Sequence, residues 1–220
     1  MKKVIISALA CCSLFTSAAQ KDTTKCIEVG MNATRILTQL TGNNGEFQNP
    51  YSFTLEGRYH KVGLRFGFGA NSQSQTEEPG NDNGNAQFNR DTTRTHYRVG
   101  LVLYKDFSPK WSIKYGLDMA SYRRMESSKS IIPSSDGTAP TTTTIETNYQ
   151  QQSFNPFLFV QYHFTKHISI GTELYAAFGS YTSTEKTKVE GFAPVDREKV
   201  KNGNLFAVHP PTALFLIVRF

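Results

Sequence analysis

The chain has 220 residues, a formal net charge of +6 and a mean hydropathy of −0.41, although 12% of its residues are aromatic. This length corresponds to one large domain or two small ones. The mild charge does not indicate a nucleic-acid partner. After the first twenty residues, no stretch approaches the roughly 20 apolar residues of a membrane helix. A helical membrane protein is therefore excluded, whereas one built from strands is not.

The first residues have the three regions of a signal peptide. Lys2 and Lys3 are basic, and the apolar run 4–15 that follows them is too short to span a bilayer as a helix. Small residues at 17–19 provide a cleavage site. We therefore predict a signal peptide over 1–19, whose removal would lower the net charge to +4.

The rest of the chain is predicted to be a short periplasmic segment over 20–26 and a barrel domain over 27–220. Lipidation at Cys11 or Cys12 is an alternative fate of the leader, but the apolar run before Cys11 is short for a lipoprotein. Cys26 would remain as the only cysteine, so no internal disulfide is expected.

After Cys26 the dominant pattern is the alternation of apolar and polar residues that is typical of strands. The alternation predicts eight strands, over 27–34, 51–60, 63–70, 96–104, 111–122, 157–164, 167–179 and 212–220. The connections alternate between long polar stretches and short turns, beginning with a long one. This order predicts an all-β fold, an eight-stranded antiparallel up-and-down β-barrel with both termini at the end that carries the tight turns.

The long connections are rich in Gly, Asn, Ser and Thr, and we expect them to be exposed loops. They cover 36–49, 71–92, 123–150 and 182–204. Proline cannot donate to a strand ladder. We therefore place Pro156 near the outer end of the sixth strand, and Pro210 and Pro211 just above the last one.

One face of the predicted strands carries all the charges. These are Glu28, Glu56, Arg58, Arg65, Arg98, Lys114, Asp118, Glu173 and Arg219. The opposite face is apolar, and a charge there would cost about 2–4 kcal/mol at the middle of a bilayer. The pattern favours a transmembrane barrel with a filled polar lumen, in which these charges form ion pairs rather than a conducting path. A soluble lipocalin-like ligand-binding barrel, with its apolar face inside, is an alternative.

Outward aromatic residues recur at both ends of the predicted strands, as in the interfacial girdles of membrane barrels. The girdle beside the tight turns is predicted to contain Tyr59, Trp111, Phe164 and Phe220. The girdle at the other end is predicted to contain Tyr51, Phe53, Tyr97 and Phe178.

The C-terminal segment, with Leu214, Leu216, Val218 and a terminal Phe220, is similar to the assembly signal of bacterial outer-membrane barrels. Together with the meander and the leader, the chain resembles the small outer-membrane β-barrel domain family, OmpX/OmpA-like. The resemblance implies export through the periplasm to the outer membrane of a Gram-negative-type cell. It also implies insertion by the barrel-assembly machinery. We expect a monomer in the lipid bilayer, with a structural or surface-interaction role through its loops.

No motif for catalysis, cofactor binding or metal binding is present, and we expect none of these activities. Some eight-stranded outer-membrane barrels are lipid-modifying hydrolases or acyltransferases, and such an enzyme needs a Ser, a His and an acid within reach of one another. His209, beside the outer loops, is the one histidine that we consider a candidate for such a site. This enzyme is therefore kept as a second alternative.

Overall fold

The computed structural model describes residues 25–40, 50–77, 87–132, 140–191 and 194–220. These ranges contain nine strands and one helix, here numbered β1 Lys25–Asn32, α1 Ala33–Leu40, β2 Phe53–Tyr59, β3 Val62–Glu77, β4 Gln87–Ser108, β5 Trp111–Ile132, β6 Thr141–His163, β7 Ile168–Glu190, β8 Val195–His209 and β9 Leu214–Arg219. The predicted signal peptide 1–19 lies outside the described residues. In the described part of the chain, no helix is both long and apolar enough to cross a membrane.

The strands form a closed antiparallel barrel in which each strand from β1 to β7 pairs with the next one in chain order. β1 pairs with β9, which closes the ring next to β7. β8 and β9 both pair with β7 and are therefore two segments of one barrel strand. The predicted eight-stranded up-and-down barrel is confirmed, and both described ends of the chain lie at the end with the tight turns.

The eighth strand is interrupted by Pro210 and Pro211, which cannot donate to a ladder. His209 pairs with Tyr175, whereas the next ladder pair joins Leu214 to Thr172. Between these two pairs the eighth strand therefore has two more residues than the facing stretch of β7. Because the excess is even, the inside–outside alternation is the same in β8 and β9.

The predicted position of Pro156 was wrong. It lies well inside β6, which continues outward to Thr141, and it pairs with Leu117 of β5. The ladder from β6 to β7 has no pair at Asn155 or Pro156, although its register is the same on both sides. The strand thus passes through the proline with two missing pairs rather than ending there.

Most of the predicted long loops are strands. β3 and β4 reach Glu77 and Gln87, β5 and β6 reach Ile132 and Thr141, and β7 and β8 reach Glu190 and Val195. The hairpins therefore extend far beyond the apolar part of the barrel. Sequence patterns missed this because both faces of these extensions are polar, and so no hydrophobic alternation marks them.

The first connection begins with a helix that was not predicted, and the assignment of Ala33 and Thr34 to a strand was wrong. The backbone N–H of Arg35 donates to Asn32 Oδ1 at 3.1 Å, so Asn32 caps α1 at its N-terminus. The rest of this connection, 41–49, lies outside the described residues.

Large apolar side chains face outward around the barrel and form what is here called the apolar belt. It consists of the outward side chains of 27–31, 53–59, 62–68, 97–103, 111–119, 154–162, 168–178, 206–208 and 214–220. Leu101 of β4, for example, is 60% exposed. The predicted orientation of Tyr51 was wrong, because its side chain is only 3% exposed and lies inside the barrel. Strand pairing starts at Phe53, so the alternation does not extend back to Tyr51.

Candidate functional site

The middle of the barrel is filled by two layers of buried ion pairs, together called the plug. The outer layer consists of Arg65, Arg98, Asp118 and Glu173. Arg65 donates from Nε to Asp118 Oδ1 at 3.0 Å and from Nη1 to Glu173 Oε2 at 2.7 Å. Arg98 Nη1 pairs with the other oxygen of Glu173 and lies 3.6 Å from Asp118 Oδ2. These four side chains come from β3, β4, β5 and β7, so the layer ties opposite walls together.

The inner layer consists of Glu28, Glu56, Lys114 and Arg219. Lys114 Nζ donates to Glu28 Oε2 and Glu56 Oε2, each at 2.5 Å. Arg219 Nε donates to Glu28 Oε1 at 2.8 Å, and the hydroxyl of Tyr104 donates to Glu56 at 3.2 Å. This layer joins the first and last strands of the barrel through Glu28 and Arg219.

Each plug layer contains two cations and two carboxylates, so each is neutral. A buried charge without a partner is costly, and pairing every charge in this way reduces that cost. Aromatic rings complete the packing, with the Arg65 guanidinium 3.3 Å from the centroid of Phe157 and the Arg98 guanidinium 4.0 Å from that of Tyr51. The plug therefore fills the lumen with side chains at the level of the apolar belt.

Glycines on the inner wall make room for the plug. A Cβ built on Gly67 would lie 2.5 Å from Arg98 Nε, and one built on Gly100 would overlap the carboxylate of Asp118. Both plug residues are fixed by ion pairs and cannot easily move aside. A methyl group at either glycine would therefore displace the outer plug layer.

Of the nine charges predicted on the inward face, the structure places eight in the plug. Arg58 lies apart, at the end with the tight turns, where its Nη2 donates to Asp106 at 3.0 Å. Its guanidinium lies 4.6 Å from the centroid of the Tyr104 ring. Arg58 thus covers the inner end of the plug and does not take part in its two layers.

A cavity of about 370 Å³, here called the vestibule, lies beyond the plug on the side of the long hairpins. Its lining includes Arg35 of α1, Arg94 and His96 of β4, Tyr122 and Arg124 of β5, and Tyr175 of β7. The helix is attached to the barrel by Arg35, which donates to Pro50 O at 3.2 Å, Ser52 Oγ at 2.5 Å and Ala70 O. Thr34 Oγ1 also accepts a hydrogen bond from the Leu214 N–H at 2.9 Å.

His209, the candidate catalytic residue, lines the vestibule, where its ring stacks on Tyr175 at 4.3 Å and 12°. The other histidines have ordinary surroundings. His96 stacks on Tyr122, and His163 Nε2 lies 2.9 Å from Ser112 Oγ. In the described ranges, no group of three or more His, Cys, Asp or Glu side chains is arranged to hold a metal ion.

The vestibule was missed by sequence reasoning because the strand alternation was followed only as far as the apolar residues continued. The predicted strand 96–104 already places His96 on the inward face, and extending its alternation two residues further would have placed Arg94 inside the barrel as well. The predicted strand 111–122 likewise ends with Tyr122 on the inward face, and extending it by two residues would have placed Arg124 inside. The signal available in the sequence was therefore the even residue numbers of these positions, which put them on the same strand faces as Arg98 and Lys114. Their hydrophobicity gave no signal.

The predicted assembly signal lies on the outside of the last strand, with Leu214, Leu216 and Val218 in the apolar belt and Phe220 at its inner edge. The inward neighbours Phe215 and Ile217 are buried inside the barrel.

No protein-family model matches the chain, and no curated protein matches it in sequence. Among solved structures, the chain is similar to CarO of Acinetobacter baumannii. The sequence identity is 10% and the TM-score 0.36, and the match covers 90% of this chain and 97% of the other.

Proposed function

We propose that the protein is an integral outer-membrane β-barrel of a Gram-negative-type cell. In this proposal the barrel is a closed, non-catalytic scaffold that holds its extended hairpins outside the membrane for a structural or surface-interaction role. The barrel-assembly machinery would insert it, after export by a signal peptide over 1–19, and it would act as a monomer.

The observation that carries this proposal is the apolar belt around a barrel with a charged interior. Soluble monomers rarely expose contiguous apolar patches larger than a few hundred Å². Here exposed large apolar side chains surround the barrel, whereas its buried charges are all inside. This arrangement suits a barrel whose outer wall faces lipid, and it is the reverse of a lipocalin-like barrel with an apolar interior.

The aromatic residues at the edges of the belt also support a barrel whose outer wall faces lipid. Tyr59, Trp111 and Phe164 are exposed beside the tight turns, and Trp111 packs against Tyr162 with ring centroids 4.9 Å apart. At the opposite edge Phe53, Tyr97, Phe178 and Phe206 are exposed. Two such girdles are the usual boundaries of a membrane barrel with its two aqueous phases.

The plug argues against a porin, because side chains that are fixed by several ion pairs fill the lumen. The part of the molecule left to interact with other components is then the outer half. There β3–β8 continue beyond the belt as long hairpins with many exposed Lys, Arg, Asp and Glu side chains. Functional surfaces on rigid scaffolds commonly lie on such connections.

Sodium carbonate extraction and planar-bilayer recording together test the proposal. We expect the protein to stay in the membrane pellet after extraction and to give no conductance steps after reconstitution. A porin reconstituted in the same membranes provides the positive control for conduction. Release into the carbonate supernatant would contradict the membrane assignment, and regular conductance steps would contradict the closed scaffold.

Replacing His209 with Ala tests the alternative of a lipid-modifying enzyme. We expect the lipid composition of cells that produce the variant to equal that of cells with the wild-type protein. Loss of a lipid modification in the variant, with the barrel still folded, would support the enzyme instead.

A further inference from the structure

Two arginines stand side by side inside the vestibule, and the only ion pair of either among the described residues is a long one, from Arg124 to Glu126 at 4.0 Å. Arg94 and Arg124 are direct partners across the β4–β5 ladder, and both line the cavity. Like charges placed opposite one another in a sheet are destabilising. The Nε atoms of both side chains are buried and have no hydrogen-bond partner among the described residues.

The acid nearest to this pair is already engaged. Glu126 accepts from Arg90 Nη2 at 2.6 Å, and its other oxygen lies 4.0 Å from Arg124 Nε, beyond hydrogen-bond distance. None of the described residues that line the vestibule is an Asp or a Glu. The contrast with the plug is informative, because every plug layer in the same barrel has as many carboxylates as cations.

Aromatic rings, stacked in pairs, also line the vestibule. His96 and Tyr122 stack at 4.3 Å and 16° on the β4–β5 wall, and Tyr175 and His209 stack at 4.3 Å and 12° on the β7–β8 wall. The floor is the ring of Tyr51, which lies over Arg98 and separates the vestibule from the plug. Rings of this kind pack well against planar or sugar rings.

We infer that the vestibule is a binding site for a small molecule that joins an anionic group, a carboxylate or a phosphate, to a flat ring. The Arg94–Arg124 pair would hold the anion by charge-assisted hydrogen bonds, which could include the unpartnered Nε atoms. The stacked ring pairs would hold the ring. A cavity of about 370 Å³ is within the range of small-molecule sites. This inference goes beyond the scaffold role and does not depend on the membrane in which the barrel lies.

Isothermal titration calorimetry on the full barrel, refolded in a zwitterionic detergent, tests this site. The probes are phenyl phosphate, benzoate, inorganic phosphate and phenol. We expect phenyl phosphate or benzoate to bind with one-to-one stoichiometry, inorganic phosphate to bind at least about tenfold more weakly, and phenol not to bind. Comparison of the first two probes tells which anionic group the site prefers.

The test variants are Arg94→Gln and Arg124→Gln, and the matched control is Arg123→Gln. Arg123 precedes Arg124 on the same strand but is exposed on the outer face. We expect each test variant to weaken binding about tenfold or more, and the control to stay within about twofold of wild type. Both test variants should still fold, since they relieve a like-charge contact, and a boiling-dependent gel shift checks this.

Thermal unfolding provides a second measurement. Phenyl phosphate should raise the unfolding temperature of the wild type and of Arg123→Gln but not that of Arg94→Gln. The inference would be overturned if none of the four probes bound, or if Arg123→Gln and Arg94→Gln lowered the affinity equally. Equal binding of inorganic phosphate and phenyl phosphate would overturn the assignment of a ring-bearing ligand.

Discussion

Phe220 and Ile27 close the barrel by two reciprocal backbone hydrogen bonds. The Phe220 N–H donates to Ile27 O at 2.9 Å, and the Ile27 N–H donates to Phe220 O at 3.2 Å. The last residue of the chain is thus part of the ladder, which explains why apolar alternation continues to the carboxylate. Closure satisfies backbone groups that would otherwise form a bare sheet edge.

Deletion of Phe220 should therefore impair assembly of the barrel. Losing two backbone hydrogen bonds would lower the free energy of unfolding by about 1–3 kcal/mol, and the aromatic ring would be lost from the interface as well. The folded fraction after refolding into lipid vesicles, measured by gel migration without boiling, should fall. Phe220→Tyr keeps both features and serves as the control. Equal folded fractions for the deletion and for the control would refute this role of the terminal residue.

Replacing Lys114 with Met should be strongly destabilising, because it leaves Glu28 and Glu56 buried without their common cation. Breaking a buried ion pair in this way typically costs about 3–5 kcal/mol. Lys186→Met provides the control, since Lys186 lies 3.7 Å from Glu198 in an exposed pair that is expected to contribute about 1 kcal/mol or less. Urea unfolding in lipid vesicles measures the free energy of unfolding of both variants. Similar losses in the two variants would contradict the structural role of the plug.

The position of the apolar belt predicts how arginine is tolerated along the outer wall. Leu101→Arg, near the middle of the belt, should lower the unfolding free energy by about 2–4 kcal/mol. Met125→Arg, on the outer face of β5 beyond the belt, should change it by less than about 1 kcal/mol. Both side chains are exposed on the barrel, so the two losses of unfolding free energy should differ only because lipid surrounds Leu101 and not Met125. Unfolding from vesicles measures both losses, and equal costs would mean that the belt does not face a bilayer.

His96 lies in the vestibule, one residue beyond the part of β4 that belongs to the belt. Burial, assisted by the guanidinium groups of Arg35 and Arg94, lowers the pKa of His96 from 6.5 to about 4. Since the unfolded chain takes up this proton below pH 6.5, folding stability is full above pH 6.5 and is lost as the pH falls toward 4.

The contribution of His96 to this loss should be about 3 kcal/mol. Carboxylates also titrate at the lower end of this range, so the measured quantity is the difference between wild type and His96→Gln. We expect denaturant unfolding to show a steeper loss of stability from pH 6.5 to 4 in the wild type. Identical pH profiles for the two proteins would contradict a neutral, buried His96.

Strand number, topology and the orientation of the charged face followed from alternation in the sequence, because the outer wall and the lumen of the barrel carry side chains of opposite polarity. Alternation cannot locate a change in backbone structure where the polarity of the residues still fits the strand pattern. Asn32 starts a helix by capping it, although it continues the pattern of β1, and Tyr51 is inside because pairing begins only at Phe53. The polar hairpins and the Arg94–Arg124 pair lie where no apolar face reveals the strand, so only the three-dimensional register brings these residues together.

The most direct test of the membrane-barrel assignment is gel migration of the protein from isolated outer membranes, with boiled and unboiled samples run side by side. A closed barrel held by the plug and by full strand pairing should resist the detergent until it is boiled, so the two samples should migrate differently. Identical migration, with the protein recovered in the soluble fraction, would contradict the assignment to a lipid-facing barrel.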